Sequence, residues 1–222
     1  MNPPEITKTI VQCDFDGTIT EKDVSFLLLD KFANGNWRKI LEDYHEGNIS
    51  VGDFNTRAFA MIKADKKTLI DFMFKSGKVK IRPGFKELLT YCSKKGLEFV
   101  IVSNGLQFYI EAILQEAGIN NLEIFAAQNW FKPGGMEAKY IGPDGKELTN
   151  DFKEAYINLF LEKGIRVIYI GNGISDIYAA GRAHHVFAID ELLDNCKEEN
   201  IKYTPFNDLN DVIKGLELLQ PG

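Results

Sequence analysis

Two hydrophobic periodicities alternate along this chain, with one long interruption. Ile10, Val11 and Cys13 form a short apolar run that stops at Asp14-Phe15-Asp16-Gly17-Thr18. A strand buried on both faces and ending in a glycine-containing loop has this pattern. From about Thr20 to Lys80 the spacing turns helical, with Phe26, Leu28, Leu29 and Phe32 followed by Trp37, Ile40, Leu41 and Tyr44. Phe54, Ala58, Met61 and Ile62 come next, then Leu69, Ile70, Phe72 and Met73. Breaks at Asn34-Gly35-Asn36, Glu46-Gly47-Asn48 and Ser76-Gly77 divide the segment into roughly four helices.

Arg82-Pro83-Gly84 closes the interruption, and helix and strand then alternate. Phe85 to Lys94 predicts a helix stopped by Gly96, and Leu97 to Val102 a strand running into Ser103-Asn104-Gly105. A helix over Leu106–Ala117 ends at Gly118, and Ile124-Phe125-Ala126 is a short strand. Pro133-Gly134-Gly135 and Pro143-Asp144-Gly145 predict a β-hairpin excursion between Trp130 and Leu148. Asn150 is expected to cap a helix from Asp151 to Lys163; Arg166–Ile170 is a strand entering Gly171-Asn172-Gly173. A helix reaching Ala183, a last core strand at Val186–Ile189 and a helical tail complete the pattern.

Such strand-then-helix units imply the α/β class, with a doubly wound, parallel, Rossmann-like sheet. Residues 1–19 and 81–222 then form the core, and residues 20–80 a helical cap inserted after the first strand. That insert would sit above the carboxyl edge of the sheet, where such sheets bind ligands.

Composition narrows the function. The chain has 222 residues, 45% hydrophobic, with 26 Lys and Arg against 32 Asp and Glu for a net charge of −6. That balance argues against nucleic-acid binding, which needs a basic footprint, whereas a small anion needs only one local cationic pocket. Three widely spaced cysteines, Cys13, Cys92 and Cys196, form no CxxC pair, which fits a reducing compartment. With no leader-like start and no apolar run approaching ~18 residues, the expectation is a cytoplasmic protein without membrane contact.

Polar residues cluster at four strand ends or helix starts. Asp14 and Asp16 close the first strand; an Asp there often caps a helix, but Gly17-Thr18 suggests a loop shaped to approach a ligand. Ser103 ends a second strand, where a hydroxyl and free N–H groups suit either a helix cap or an anion. Lys153 lies in a first helical turn, opposing the helix dipole. Gly171-Asn172-Gly173-Ile174-Ser175-Asp176 follows a third strand, and its missing third glycine makes it a poor dinucleotide loop.

In this order and on these strands, Asp14-Phe15-Asp16-Gly17-Thr18, Ser103, Lys153 and Gly171-Asn172-(x3)-Asp176 resemble the haloacid dehalogenase superfamily over nearly the whole chain. The helical insert looks like the cap of its phosphoserine phosphatase subgroup. The run CDFDGTIT, the cap length and the Ser103 strand look most like methionine-salvage phosphatases acting on a methylthio-enol phosphate. The resemblance implies phosphomonoester hydrolysis of a small metabolite, by a monomer or homodimer. Asp14 is then the nucleophile and Asp16 the acid–base. Ser103, Asn104 and Lys153 bind the phosphate. Mg²⁺ is held by the Asp14 side chain, the Asp16 carbonyl and Asn172, with Asp176 orienting its waters or the lysine. Asp23 and Arg57 correspond to substrate-binding positions of the phosphoserine phosphatases.

Asn172 departs from the aspartate usual in the family, which predicts weaker metal affinity. It also opens an alternative: a phosphate-ligand binding or regulatory protein with the same fold and little turnover. A dinucleotide-dependent oxidoreductase is disfavoured, because two Asp in the first loop would repel a pyrophosphate. The Cys-rich tract associated with the methionine-salvage relatives is absent from the Gln128–Asn150 region. Phe54, Phe59, Phe72 and Phe74 read as bundle core, Trp130-Phe131 as packing under the hairpin, and His184-His185 as structural.

Overall fold

The computed structural model describes residues 8–219. Among them eight strands form one sheet in the order β5-β4-β3-β2-β1-β6-β7-β8. The first strand, β1 (Thr9–Cys13), lies inside the sheet, and Val11 and Cys13 are wholly enclosed. It pairs in parallel with β2 (Glu98–Leu106) on one side and β6 (Arg166–Gly171) on the other. Beyond them β3 (Glu123–Lys132), β7 (His185–Ala188) and β8 (Tyr203–Pro205) extend the parallel array, which is the expected doubly wound core.

Three elements depart from the predicted pattern. The short strand expected at Ile124–Ala126 runs on to Lys132, because β4 (Gly135–Ile141) folds back antiparallel and supplies partners to Gln128–Lys132. A two-residue β5 (Glu147–Leu148) then pairs with β4. The β2 strand passes through Ser103 to Leu106, with an irregularity between Val102 and Leu106. The β8 edge strand was not expected: it is three residues long and ends in Pro205, which suits an edge.

The remaining helices cover the sheet. Among these, α5 (Phe85–Lys95) packs with the chain-final α10 (Leu209–Leu218), α6 (Gln107–Glu116) with β3, and α7 (Phe152–Glu162) with β2 and β6. A single 3-10 turn at Ile174–Asp176 leads into α8 (Ile177–Arg182), and α9 (Asp190–Glu198) packs on β7 and β8. No helix among the described residues is long and apolar enough to cross a membrane.

Between β1 and α5 lie α1 (Val24–Phe32), α2 (Trp37–His45), α3 (Val51–Ala60) and α4 (Lys66–Lys75). Three of their starts are fixed by side-chain caps: Asp23 for α1, Ser50 with Asp53 for α3 and Asp65 for α4. Phe26 meets both Trp37 and Phe54, and Phe54 stacks on Tyr44. The two connections to this helical segment run side by side. Thr20 and Ile81 form an antiparallel bridge, and the Arg82 N–H donates to the Ile19 carbonyl at 2.7 Å. The buried Arg82 guanidinium ties the same place, donating to the carbonyls of Gly17 (2.6 Å), Thr18 (2.8 Å) and Asn207 (3.0 Å).

The helices α2 and α3 pack together, and α3 packs on β4. At Gly52 the backbone of α3 comes so close to the β5–α7 loop that a Cβ would stand 1.7 Å from the Thr149 carbonyl oxygen.

Candidate active site

Parallel strands end at one edge of the sheet, and three of them deliver the polar residues singled out above. The Asp14 N–H donates to the Ile170 carbonyl at 2.9 Å, continuing the β1–β6 ladder by one residue before the chain turns away. Gly17 then adopts φ +76, and a Cβ there would meet the Asn172 Nδ2 at 2.2 Å. Glycine at 17 is therefore required both for the turn and for the approach of the β6 loop. Ser103, within β2 where its ladder to β3 becomes irregular, is fully buried, and its Oγ accepts from the Gly105 N–H at 3.0 Å.

Lys153 comes from the first turn of α7 and is only 4% exposed. The helix begins at Phe152, preceded by Asp151 in the left-handed region at φ +57 and without a side-chain cap; the expected Asn150 cap is not formed. The Lys153 Nζ lies 2.9 Å from Asp14 Oδ1 and 2.5 Å from Asp176 Oδ1, and donates to Ser175 Oγ at 3.3 Å. These partners explain a lysine against the helix dipole: the attraction of two buried carboxylates outweighs the dipole's fraction of a kcal/mol.

Asp176 is fully buried, and both its oxygens are engaged. Oδ1 accepts from Lys153 and from the Tyr169 hydroxyl at 2.5 Å; Oδ2 accepts from the N–H groups of Asn172 (3.0 Å) and Gly173 (2.9 Å). Its carboxylate thus orients the lysine and the 172–173 loop.

Asp16 turns the other way. Its Oδ1 accepts from the Val24 N–H at 2.9 Å, at the start of α1, and its Oδ2 accepts from the buried Tyr109 hydroxyl. A Cβ on Gly105 would fall 2.0 Å from that hydroxyl and 2.3 Å from Asp16 Oδ2, so the glycine makes room for the pair.

Electrostatics follow from burial. Desolvation pushes the Asp14 carboxyl up to about 7, opposed by the Lys153 ammonium. Desolvation, reinforced by the Asp23 charge, raises Asp16 well above the ordinary carboxylate range. Burial alone would pull Lys153 down, but Asp14 and Asp176 outweigh it and hold the amine above its ordinary value. Lys153 is thus a fixed cation in a site rich in carboxylates.

A cavity of about 240 Å³ opens on these groups. Asp14, Asp16, Ser103, Asn104, Lys153 and Asn172 line its polar side, and Phe26, Leu41, Val51 and Phe54 its apolar side. A larger hollow of about 500 Å³ adjoins it, sharing Tyr44, Val51, Asn104 and Lys153. Phe54 is both core and wall, whereas Phe74 is 40% exposed and belongs to neither.

Oxygen donors converge beside Asp14. The Asn172 amide faces Thr18 Oγ1 at 2.9 Å, the Asp16 carbonyl at 3.0 Å and Asp14 Oδ2 at 3.1 Å. Among the described residues no three His, Cys, Asp or Glu side chains form a metal cluster by themselves. The set here includes a backbone carbonyl and an amide, all hard oxygens, and it fits a small divalent cation.

Two expected substrate residues fare differently. Asp23 lines the cavity, and its Oδ1 caps α1 by accepting from the Phe26 N–H (2.8 Å) and the Ser25 hydroxyl (2.5 Å). Arg57 is exposed on α3 and does not line the cavity; Asn55, two residues earlier, does, since a helix turns most of the way to its opposite face in two residues. His185 packs in β7 with its Nε2 2.9 Å from Thr204 Oγ1, and the His184 Nδ1 accepts from the Val167 N–H at 3.1 Å. Trp130 is 44% exposed rather than packed, while Phe131 meets Phe108 edge to face. Tyr109, Tyr169 and Arg82 were missed. Arg82 stood out only as the end of the helical segment, nothing near Tyr109 in sequence marks its partner, and Tyr169 read as a strand residue although its partner Asp176 lies seven residues on.

Comparison with known proteins agrees with this geometry. Residues 11–181 match the family model of haloacid dehalogenase-like hydrolases. The chain is 30% identical over 217 residues to a 2-hydroxy-3-keto-5-methylthiopentenyl-1-phosphate phosphatase of Brevibacillus brevis, covering 96% of this chain and 97% of that one. A protein of the same name from Bacillus mycoides is 30% identical over 213 residues, covering 94% of this chain and 96% of its own. Among solved structures, a phosphoserine phosphatase from T. onnurineus superposes with a TM-score of 0.68, covering 99% of each chain; at 18% identity this is a likeness of fold.

Proposed function

The chain belongs to the haloacid dehalogenase-like hydrolase family, and from that premise we propose that it hydrolyses a small phosphomonoester in two displacements at Asp14. An Asp14 carboxylate oxygen attacks phosphorus and the ester oxygen leaves, taking a proton from Asp16, so that an aspartyl-phosphate forms. Asp16 then removes a proton from water. The water oxygen attacks phosphorus, the bond to Asp14 breaks, and phosphate and free Asp14 result. Lys153, Ser103 and the Asn104 segment hold the phosphoryl oxygens, because positioning and charge stabilisation carry most of such a reaction.

The Asp14 side chain, the Asp16 carbonyl and Asn172 would hold Mg²⁺ beside them. When bound, that ion supplies positive charge that offsets repulsion between Asp14 and the phosphate. Burial keeps Asp16 protonated more readily than an ordinary carboxyl, the state a general acid needs. The observation that carries this reading is the Asp14–Lys153 pair, 2.9 Å apart and buried at the floor of a cavity that Ser103 also lines.

The leaving alcohol follows from the opposite wall. Phe26, Leu41, Val51 and Phe54 offer it apolar surface, and among the described residues no arginine lines the cavity to hold an amino-acid carboxylate. These features favour an uncharged, thioether-like tail, in line with the methylthio-enol phosphate named for the relatives, over phosphoserine. Residues 20–80 act as a cap that closes over this tail. Asn172 favours a second reading, a phosphate-ligand binding protein with little turnover.

The test is phosphate release with and without Mg²⁺ from p-nitrophenyl phosphate, the methylthio-enol phosphate and phosphoserine, beside Asp14→Asn. The expected result is Mg²⁺-dependent release, fastest with the enol phosphate and lost in the variant. No release from any ester, with phosphate still binding, would favour the second reading.

A further inference from the structure

Asn172 does more than occupy an aspartate's position. A carboxylate presents the same charge whichever way it is turned, but an amide presents an acceptor at one end and two N–H donors at the other. With its oxygen toward the site, Asn172 accepts from the Thr18 hydroxyl at 2.9 Å and otherwise meets only acceptors. Turned end over end, its Nδ2 points at the same Thr18 Oγ1, at the Asp16 carbonyl (3.0 Å) and at Asp14 Oδ2 (3.1 Å). Each orientation suits a different state. Acceptors crowded around an amide oxygen need a cation among them, while acceptors around an amide nitrogen are satisfied by its hydrogens. The surroundings permit both. The missing Cβ of Gly17 leaves the outer end of the amide free of that clash, and the Thr18 hydroxyl can donate or accept.

We propose that Asn172 is a built-in stand-in for the cation, donating Nδ2–H to Asp14 and the Asp16 carbonyl when the metal is away and turning its oxygen inward when the metal binds. This rests on the metal reading given above and adds a cost to it: the ion must displace two hydrogen bonds and gains no second carboxylate charge. In return, the metal-free site stays intact. An aspartate at 172 would instead leave two carboxylates facing each other without a donor between them.

The experiment compares the wild type with Asn172→Asp and with the exchanged pair Asp14→Asn/Asn172→Asp. Melting temperature is measured in EDTA and along a MgCl₂ titration, and Mg²⁺ binding by calorimetry. In EDTA, Asn172→Asp is expected to melt about 4 °C or more below the wild type, and the exchanged pair to recover most of that loss because an amide again faces a carboxylate. Mg²⁺ should bind Asn172→Asp about tenfold or more tightly, since ligand charge sets affinity. A single variant that does not fold in EDTA counts as the expected loss only if the exchanged pair folds. Equal melting and equal Mg²⁺ affinity in the wild type and Asn172→Asp would overturn the stand-in role while leaving the metal reading in place. Absence of Mg²⁺ binding in both would overturn the two together.

Discussion

Replacing Lys153 with methionine isolates the buried charge cluster. The ammonium is 4% exposed and lies 2.9 Å from Asp14 and 2.5 Å from a fully enclosed Asp176. Methionine fills much of the same volume, so little of the effect comes from a cavity. What remains is two buried carboxylates without a counter-ion. Removing one partner of a buried ion pair costs about 3–5 kcal/mol, against a total stability of about 5–15 kcal/mol for a domain. For a chain of this size that corresponds to a fall in melting temperature of roughly 6–20 °C. Urea denaturation of wild type, Lys153→Met, Asp176→Asn and the double variant measures both the cost and the coupling. In the double variant one of the stranded charges is gone. Its loss should therefore be smaller than the sum of the single losses by about 1–3 kcal/mol. Phosphate release should vanish in both variants lacking the lysine. A cost below about 1 kcal/mol, or strict additivity, would refute the argument that the two carboxylates depend on this one cation.

Tyr109→Phe removes the hydroxyl that donates to Asp16 Oδ2; a loss of about 1.5–3 kcal/mol is expected in urea denaturation, with kcat falling more than KM rises. Gly52→Ala forces α3 away from the Thr149 carbonyl. It should cost about 1–3 kcal/mol and speed tryptic cleavage at Lys63, Lys66 or Lys67; unchanged proteolysis would argue against close backbone packing. Desolvation, with the charges of Lys202 and Arg166, lowers the His185 pKa below 6.5 in the folded chain. The unfolded chain therefore binds the proton more readily, and this contribution to stability is full above about pH 6.5 and is lost as pH falls through the folded value. The stability difference between wild type and His185→Gln should accordingly shift against the wild type between pH 7.5 and 5.5, and a constant difference would contradict the assignment.

Legibility in the sequence followed chain locality. The β1 strand could be read because four of its five residues are buried, and its Asp-x-Asp-Gly-Thr ending because the motif is contiguous. Lys153 stood out as a charge in the wrong part of a helix. Tyr109 and Arg82 did not stand out, since their partners lie 93 and 64 or 65 residues away and neither residue violates a local rule. Arg57 was placed by analogy of position; on a helix, an error of two residues moves a side chain to the far face, and Asn55 occupies the wall instead. The extension of β3 depended on β4, which only the folded hairpin supplies.

The position of β1 also governs the order in which the protein can assemble on the ribosome. Both of its neighbours are made much later: β2 begins at Glu98 and β6 at Arg166. At about 5–20 residues per second, the strand that carries Asp14 waits on the order of 10–30 s for its second partner. During that interval its apolar residues have no sheet to join, whereas α1–α4 can already pack on one another. Synthesis thus delivers the residues of α1–α4 before β1 has either of its sheet partners.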